Sequence, residues 1–272
     1  MHDTLLIDRA PLGADLFCET WTLNDPASRN ALTDAMVDAL LGACTRAQSD
    51  GALRGVVLRG AGGHFCAGGS LGGFAKAIGQ PLDAGVPDPL VPLNRRFGAL
   101  LQALCGLPQW LVVAAEGAAM GGGLGLACCG DLVLADADAQ FGAPEVTLGL
   151  VPAQIAPFVV RRLGPAAARR WLLSGARWDS VAAQQAGLVD EVVVDGAMDE
   201  AVQATIQRLA ATAPQAIAAT KHLLLQVQSA LPLPALLDDA AHLFARALRG
   251  PEAPQGLAAF TARKAPPWSA VA

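Results

Sequence analysis

Apolar residues along the chain alternate between two kinds of spacing. Short apolar runs with strand-forming residues lie at 16–23, 55–58, 111–115 and 132–135. Segments with apolar residues at helical spacing lie between them, at 33–48, 93–104 and 122–129, and Thr33 or Asn30 can cap the first. Strands that alternate with helices in this way predict an α/β fold with a mainly parallel sheet.

From Ala153 onward the composition changes, because alanine, leucine and arginine dominate. Helices are predicted at 156–163, 166–174, 180–186, 198–213, 215–229, 235–248 and 254–263, with one short strand at 192–194. We therefore expect a core over residues 1–195 and a C-terminal helical region over 196–272. A loop rich in glycine and proline spans residues 70–92, and loops of that length commonly act as lids or binding loops.

Charge and hydropathy limit the partners of this chain of 272 residues. The formal net charge is −5 and only three lysines occur, so nothing in the sequence resembles the basic surface that binds nucleic acid. Hydrophobic residues make up 53% of the chain and charged residues only 16%. This is more apolar surface than a compact monomer easily buries, which predicts a homo-oligomer.

The sequence predicts a soluble, cytoplasmic protein without a metal. Its first residues have no signal-peptide character, and the longest uncharged run, 97–115, is interrupted by Gly106 and Pro108. The six cysteines show no metal-ligand spacing, and the four histidines are scattered. We therefore expect no membrane span and no metal ion. The chemistry that we expect is proton transfer without a metal.

Two glycine-rich segments are the strongest candidates for a functional site. The first is His-Phe-Cys-Ala-Gly-Gly-Ser at 64–70, and the second, 117–125, contains the glycine triplet 121–123. Glycine lets backbone N–H groups approach a ligand closely, and N–H groups directed at a developing oxyanion make a large contribution to catalysis. The Gly69 amide and the helix start at the triplet therefore predict an oxyanion hole, and Glu145 follows as a lone carboxylate.

A second interpretation of the first segment is the nucleophile elbow of serine hydrolases. The residues from Gly68 to Gly72 match its G-x-S-x-G pattern. That elbow requires a strand directly before the serine and a helix directly after it, and neither is predicted here. The possible bases His222 and His242 fall on C-terminal helices, so a serine hydrolase is disfavoured. Dinucleotide and phosphate-binding motifs are absent from the sequence.

The motifs together resemble the crotonase, or enoyl-CoA hydratase/isomerase, superfamily. The resemblance rests on these segments, in this order: 26–32, 65–69, 117–131, 139–145, 149–152, 186–190 and 260–268. It implies a spiral of ββα units followed by C-terminal helices that form trimers or dimers of trimers. It also implies an acyl-CoA thioester substrate, with coenzyme A as part of the substrate and no separate cofactor.

The resemblance also implies a role for nine residues. Gly69 and Gly122 would supply the two amides of the oxyanion hole, and Glu145 would be the acid/base carboxylate. The coenzyme A portion would be bound by Ser28, Arg29, Ala67, Phe260, Arg263 and Lys264. In this family the last three reach the coenzyme, often from a neighbouring subunit.

One position departs from the common hydratase pattern. Usual hydratases carry a second glutamate two residues after the triplet, where this chain has Gly125. Together with the run 151–162, this glycine is most similar to bacterial isohexenylglutaconyl-CoA and methylglutaconyl-CoA hydratases. We therefore expect a 3-branched enoyl-CoA, whose branch would use the room left at Gly125.

Three functions remain open at this point. The first is hydration of a 3-branched enoyl-CoA by Glu145 alone. The second is double-bond isomerisation, because one glutamate can move a proton between C2 and C4 without water. The third is acyl-CoA binding without catalysis.

Overall fold

The computed structural model describes residues 3–13, 16–70, 77–83, 85–228 and 231–269. The strands of this part of the chain are β1 (Leu5–Gly13), β2 (Leu16–Leu23), β3 (Leu53–Gly60), β4 (Trp110–Ala115), β5 (Ala118–Met120), β6 (Leu132–Asp136), β7 (Gln140–Gly142), β8 (Arg177–Asp179) and β9 (Glu191–Val193). Its α-helices are α1 (Asp34–Ser49), α2 (Leu90–Cys105), α3 (Gly122–Ala127), α4 (Ala156–Ser174), α5 (Ser180–Gln185), α6 (Met198–Ala210), α7 (Pro214–Val227), α8 (Leu233–Arg249) and α9 (Glu252–Thr261).

The strands form a large and a small sheet. The large sheet has the order β1-β2-β3-β4-β6-β9, in which β1 is antiparallel to β2 and every other pair is parallel. The small sheet has the order β5-β7-β8, and isolated bridges from Leu32 to Gly69 and from Cys66 to Ala119 extend it. The mainly parallel sheet predicted from the sequence is confirmed.

Successive segments repeat a ββα unit that advances across the two sheets. In the clearest units, a strand of the large sheet is followed by a strand of the small sheet and then a helix, as in β4-β5-α3 and β6-β7-α4. The segment after β3 follows the same path, because Cys66 pairs beside β5 before the chain continues to α2. Each turn of this spiral therefore brings the chain back to the small sheet, and the two glycine segments lie at its β5 edge.

Alternate residues of the central strands face two separate hydrophobic clusters. Val56 and Val113 belong to the larger cluster, which α1, α2, α3 and α4 cover. Val57 and Val112 belong to the smaller cluster, which α6 covers with Met198, Val202 and Ile206. Because both faces are buried, these strands are continuous apolar runs, as expected of a parallel sheet between two helical layers.

The local predictions agree with the structure in most places and differ in a few. The Thr33 hydroxyl accepts from Met36 N at 3.2 Å and caps α1, so Asn30 is not the cap. The helices expected at 156–163 and 166–174 are confirmed as the two helical parts of α4, because Gly164 between them has the non-helical angles φ 73° and ψ 165° and precedes Pro165. The sequence pattern did not predict β1, β5, β7 and β8, because these strands are short or mostly exposed.

The C-terminal helices α7, α8 and α9 carry many exposed apolar side chains. Leu237 and Phe244 on α8 and Phe260 on α9 are 59%, 70% and 83% exposed, which agrees with the apolar surplus of the sequence. None of the helices in the described ranges is long and apolar enough to cross a membrane. The division after residue 195 stays a prediction. Of the predicted loop, residues 71–76 and 84 lie outside the described part of the chain.

Candidate active site

Backbone hydrogen bonds join the first glycine segment to β5, which lies at the start of the second. Phe65 N donates to Glu116 O at 2.7 Å, and Cys66 N donates to Ala118 O at 2.8 Å. Met120 N in turn donates to Cys66 O at 2.9 Å. Two segments that are about fifty residues apart in sequence therefore run side by side at the edge of the small sheet.

The close approach continues to the predicted oxyanion residues. Gly68 has φ 99°, and a β-carbon on it would stand 2.7 Å from Met120 O and 3.6 Å from Gly122 N. Only glycine fits at this position, because both the backbone angle and the space exclude a side chain. At Gly69, the next residue, no described atom lies within 4 Å of the place that a β-carbon would take, so this residue faces open space.

Neither of the two predicted oxyanion amides donates a hydrogen bond to an acceptor in the described part of the chain. The bonds from Leu32 N to Gly68 O and from Ser70 N to Leu32 O hold both sides of Gly69. Within the described ranges, no acceptor is found for the N–H of Gly69 or of Gly122, the first residue of α3. Such first-turn amides have no partner inside a helix. That the two amides bind a single oxygen stays a prediction.

Glu145 lies against the second glycine segment. It is in the 3-10 turn Pro144–Leu148, directly after β7, and its Oε1 is 3.0 Å from the position that a β-carbon on Gly121 would take. Its Oε2 is buried, and no group in the described part of the chain hydrogen-bonds to it. Burial raises the pKa of the Glu145 carboxyl, and its own backbone N–H opposes this shift. A raised pKa suits a carboxyl that takes and returns a proton near neutral pH.

Three of the residues predicted to bind coenzyme A lie beside Gly68. Ala67 N donates to Arg29 O at 2.9 Å, which places the turn containing Ser28 and Arg29 next to the first glycine segment. Arg29 has φ 55° and an exposed side chain. The Ser28 hydroxyl donates to Asp25 Oδ2 at 2.6 Å and accepts from Ala31 N at 3.1 Å. Their role in binding the coenzyme stays a prediction.

This combination of fold and site can be compared with known proteins. Residues 19–270 match the sequence profile of the enoyl-CoA hydratase/isomerase family. The chain belongs to this family. Three predictions are therefore confirmed. The protein is a member of the crotonase superfamily, it is an enzyme of this family, and the family acts on acyl-CoA thioesters.

Named relatives agree with the assignment to the enoyl-CoA hydratase/isomerase family. The chain is 35% identical to the probable enoyl-CoA hydratase EchA14 of Mycobacterium tuberculosis H37Rv, over 90% of this chain and 91% of that protein. It is 32% identical to 2,3-dehydroadipyl-CoA hydratase of Escherichia coli K12, over 90% and 92%. A crystal structure of an enoyl-CoA hydratase/isomerase from Marinobacter aquaeolei is 41% identical, with a TM-score of 0.90 over 98% of this chain and 100% of that one.

For the three remaining residues predicted to bind coenzyme A, the described part of this enoyl-CoA hydratase/isomerase family member shows no contact with the glycine segments or Glu145. Phe260 lies on α9, Arg263 and Lys264 follow it, and all three side chains are exposed. The tail beyond them is anchored by a bond from Arg54 Nη1 to Trp268 O at 3.5 Å, near the start of β3. The glycine segment follows the opposite end of that strand. A contribution to a neighbouring subunit stays a prediction.

The space expected beside Gly125 is filled. A β-carbon there would stand 2.4 Å from Ile155 Cγ2 and 3.5 Å from Leu101 Cδ1, and real β-carbons essentially never approach within 3.0 Å. The expectation that the missing side chain leaves room for a substrate branch is therefore wrong. The apolar side chain of Ile155 occupies that space, because residue 125 has no side chain to exclude it.

Sequence reasoning missed several residues around α3. A β-carbon on Gly122 would meet Leu32 Cδ1 at 2.6 Å and Phe97 Cζ at 3.3 Å, so both side chains border the predicted oxyanion residue. The helical apolar pattern of 93–104 contains Phe97. That pattern predicts a helix with an apolar face, but it does not show that this helix packs beside Gly122. Asn30 was considered only as a helix cap, whereas its side chain joins the Ser28 turn to the loop before the first glycine segment.

Proposed function

We propose that the protein adds water across the C2=C3 bond of an enoyl-CoA thioester. The observation that carries this proposal is the position of the half-buried Glu145 carboxyl against Gly121, beside the N–H groups of Gly69 and Gly122, for which the described residues offer no acceptor. Coenzyme A is part of the substrate, and no further cofactor is required.

In the proposed reaction, the thioester oxygen accepts hydrogen bonds from the two amides. Negative charge then develops on this oxygen as water attacks C3, and the fixed amides stabilise the enolate. Glu145 takes one proton from the attacking water and returns a proton to C2, so the carboxylate is regenerated. One carboxyl group is sufficient, because the two proton transfers concern neighbouring carbons on the same substrate.

The substrate that we propose is a 3-branched, glutaconyl-type enoyl-CoA. Its support is the similarity of Gly125 and the run 151–162 to bacterial hydratases of such thioesters. A linear dicarboxylic substrate is the alternative, since one relative is named 2,3-dehydroadipyl-CoA hydratase. We further propose a cytoplasmic homotrimer or dimer of trimers, supported by the exposed apolar side chains of α8 and α9.

A product assay tests this function. The protein is incubated with linear and 3-branched 2-enoyl-CoAs, and mass spectrometry follows the gain of one water. The proposal expects hydrated product, and an about 10²- to 10⁴-fold lower kcat for Glu145→Gln with little change in acyl-CoA binding. Absence of hydration with every enoyl-CoA would refute the proposal.

Isomerisation is the second candidate, and the surroundings of Gly125 favour it. Ile155 and Leu101 make this part of the site apolar, so the described residues supply no second acid there. Glu145 would remove a proton from C2 of a 3-enoyl-CoA and deliver one to C4. Conversion of 3-enoyl-CoA to the conjugated isomer without hydrated product would select this function.

A further inference from the structure

The first turn of α3 is bordered by one acidic and several apolar side chains. Glu145 lies at Gly121, Phe97 lies at Gly122, and Ile155 lies at Gly125. Gly125 N donates to Gly121 O at 3.1 Å, so Gly121 and Gly125 are one helical turn apart. Because a turn of α-helix rises about 5.4 Å, Ile155 contacts α3 about one turn along the helix from the place where the Glu145 carboxyl contacts it.

The local structure holds Ile155 firmly in this place. Its side chain is only 3% exposed, and its carbonyl accepts from Phe158 N and Val159 N at 3.0 and 2.9 Å at the start of α4. Its β-branched side chain has few accessible rotamers. The stretch that carries Ile155 also carries Glu145, whose carbonyl accepts from Leu150 N at 2.9 Å. The position of Ile155 relative to Glu145 is therefore set by one short, hydrogen-bonded segment.

We propose that Ile155 is a specificity-determining residue that limits the size of the substituent on C3 of the acyl group. The inference rests on the proposed function, because it assumes that Glu145 acts at C2 and C3. A group attached to C3 would then lie beside the first turn of α3, between the contact of Glu145 at Gly121 and the contact of Ile155 at Gly125. Ile155 meets that group because Gly125 has no side chain between them.

The alternative is that Ile155 only fills the protein core between α3 and α4. A core residue would lower stability when shortened, but it would not change the relative affinity for different acyl groups. A residue that borders the acyl group changes this ratio, because one methylene in an apolar pocket alters discrimination about 10- to 200-fold. The ratio of two dissociation constants therefore separates the two roles.

The experiment measures binding of two saturated thioesters, which cannot react, by isothermal titration calorimetry. The ligands are 3-methylhexanoyl-CoA and 3-propylhexanoyl-CoA, and the proteins are the wild type, Ile155→Ala and Ile206→Ala. Ile206 is the matched control because it is 5% exposed, also apolar, and belongs to the cluster on the other face of the sheet. We expect Ile155→Ala to change the ratio of the two dissociation constants at least about tenfold, in favour of binding the propyl compound. Ile206→Ala should leave this ratio within about twofold of the wild-type value.

A double-mutant cycle checks the contact itself by thermal denaturation. Gly125→Ala should lower Tm strongly in the wild type, because its methyl group collides with Ile155 Cγ2. In the Ile155→Ala background the same change should lower Tm much less, so the two losses are not additive.

The outcomes for this inference and for the proposed function are distinguishable. An unchanged ratio in Ile155→Ala, or additive losses of Tm, would overturn the role of Ile155 even if the wild type hydrates enoyl-CoA. A shifted ratio supports that role even if the wild type proves to be an isomerase. Failure to bind either thioester would overturn the assignment of the acyl site to the first turn of α3, and with it the role of Ile155.

Discussion

The carboxyl of Glu145 lies against the backbone of Gly121, with Oε1 3.0 Å from the place where a β-carbon would stand. Gly121 is the N-cap of α3 and has φ 50°. The absence of a side chain at this one position allows the carboxyl to reach the helix start that carries Gly122. The acid and the predicted oxyanion amide are therefore neighbours because of a glycine that itself takes no part in proton transfer.

Gly121→Ala should displace this carboxyl. The new methyl group would touch Oε1, and alanine at φ 50° and ψ −114° adds backbone strain of at least about 1 kcal/mol. We expect kcat for hydration to fall at least about tenfold while the protein remains folded. Gly196→Ala is the control, because Gly196 also has a positive φ, 76°, but no described atom lies within 4 Å of the place of its β-carbon. Equal kcat values for the two variants would argue against the arrangement.

The raised pKa of the Glu145 carboxyl predicts how stability depends on pH. Burial is the main cause of the shift, so the folded state holds this proton to a higher pH than the unfolded state does. Above the folded pKa, the buried charge therefore destabilises the wild type, and below the ordinary carboxyl pKa the effect disappears. Glu145→Gln should raise Tm relative to the wild type at about pH 8, and this advantage should vanish toward about pH 3.

Thermal denaturation across this pH range measures the effect. Glu200→Gln removes one exposed carboxyl on α6 and controls for the change in net charge. An advantage of Glu145→Gln that grows as the pH falls would have the wrong sign and would contradict burial of the Glu145 carboxyl.

Asn30 should be essential for the coenzyme side of the site. Its side chain is fully buried, and Nδ2 donates to Ala61 O and His64 O at 2.9 and 2.7 Å. Oδ1 accepts from Asp25 N at 2.9 Å. Asn30→Ala would remove the partner of all three groups, which are partly buried, so we expect the free energy of unfolding to fall by about 3 kcal/mol. Chemical denaturation measures this, with the exposed Asn94→Ala as control.

The same variant should bind acyl-CoA more weakly. Asn30 joins the turn of Ser28 and Arg29 to the loop that leads into the first glycine segment. Without it, these two parts of the predicted coenzyme site can move independently. Acyl-CoA affinity that stays at the wild-type value in Asn30→Ala would show that this connection is not needed for binding.

Arg54 should hold the C-terminal tail on the sheet. Arg54 is only 3% exposed, and its guanidinium donates hydrogen bonds to Thr212 O and to Trp268 O. Burial lowers the pKa of Arg54, and the nearby Glu252 opposes this shift. Arg54→Ala should speed hydrogen exchange at residues 252–268, because it removes both bonds, whereas exchange in α1 should not change.

Arg54→Lys tests whether charge alone is sufficient. A lysine keeps the positive charge but lacks the planar fork that reaches two carbonyls. We expect exchange rates for the tail between those of the wild type and Arg54→Ala. If neither variant alters exchange in the tail, Trp268 is held by its own bond to Ala211 O and Arg54 is dispensable.

The sequence predicted the class of fold and the family because both depend on local patterns. The continuous apolar run of 111–115 indicated a strand buried on both faces, and the glycine triplet 121–123 correctly marked a helix start. The sequence could not reveal the short strands β5, β7 and β8, since three residues are too few to show a period. They form because the spiral places them beside one another.

The sequence by itself determined the family and indicated the candidate chemistry, through two glycine-rich segments and one carboxylate after them. The tertiary structure alone decided how these parts meet. It placed Gly68 against Gly122 and the side chain of Ile155 in the space at Gly125. The reason is that each of these relations joins segments distant in sequence, whose contact depends on how the sheets and helices pack rather than on any local propensity.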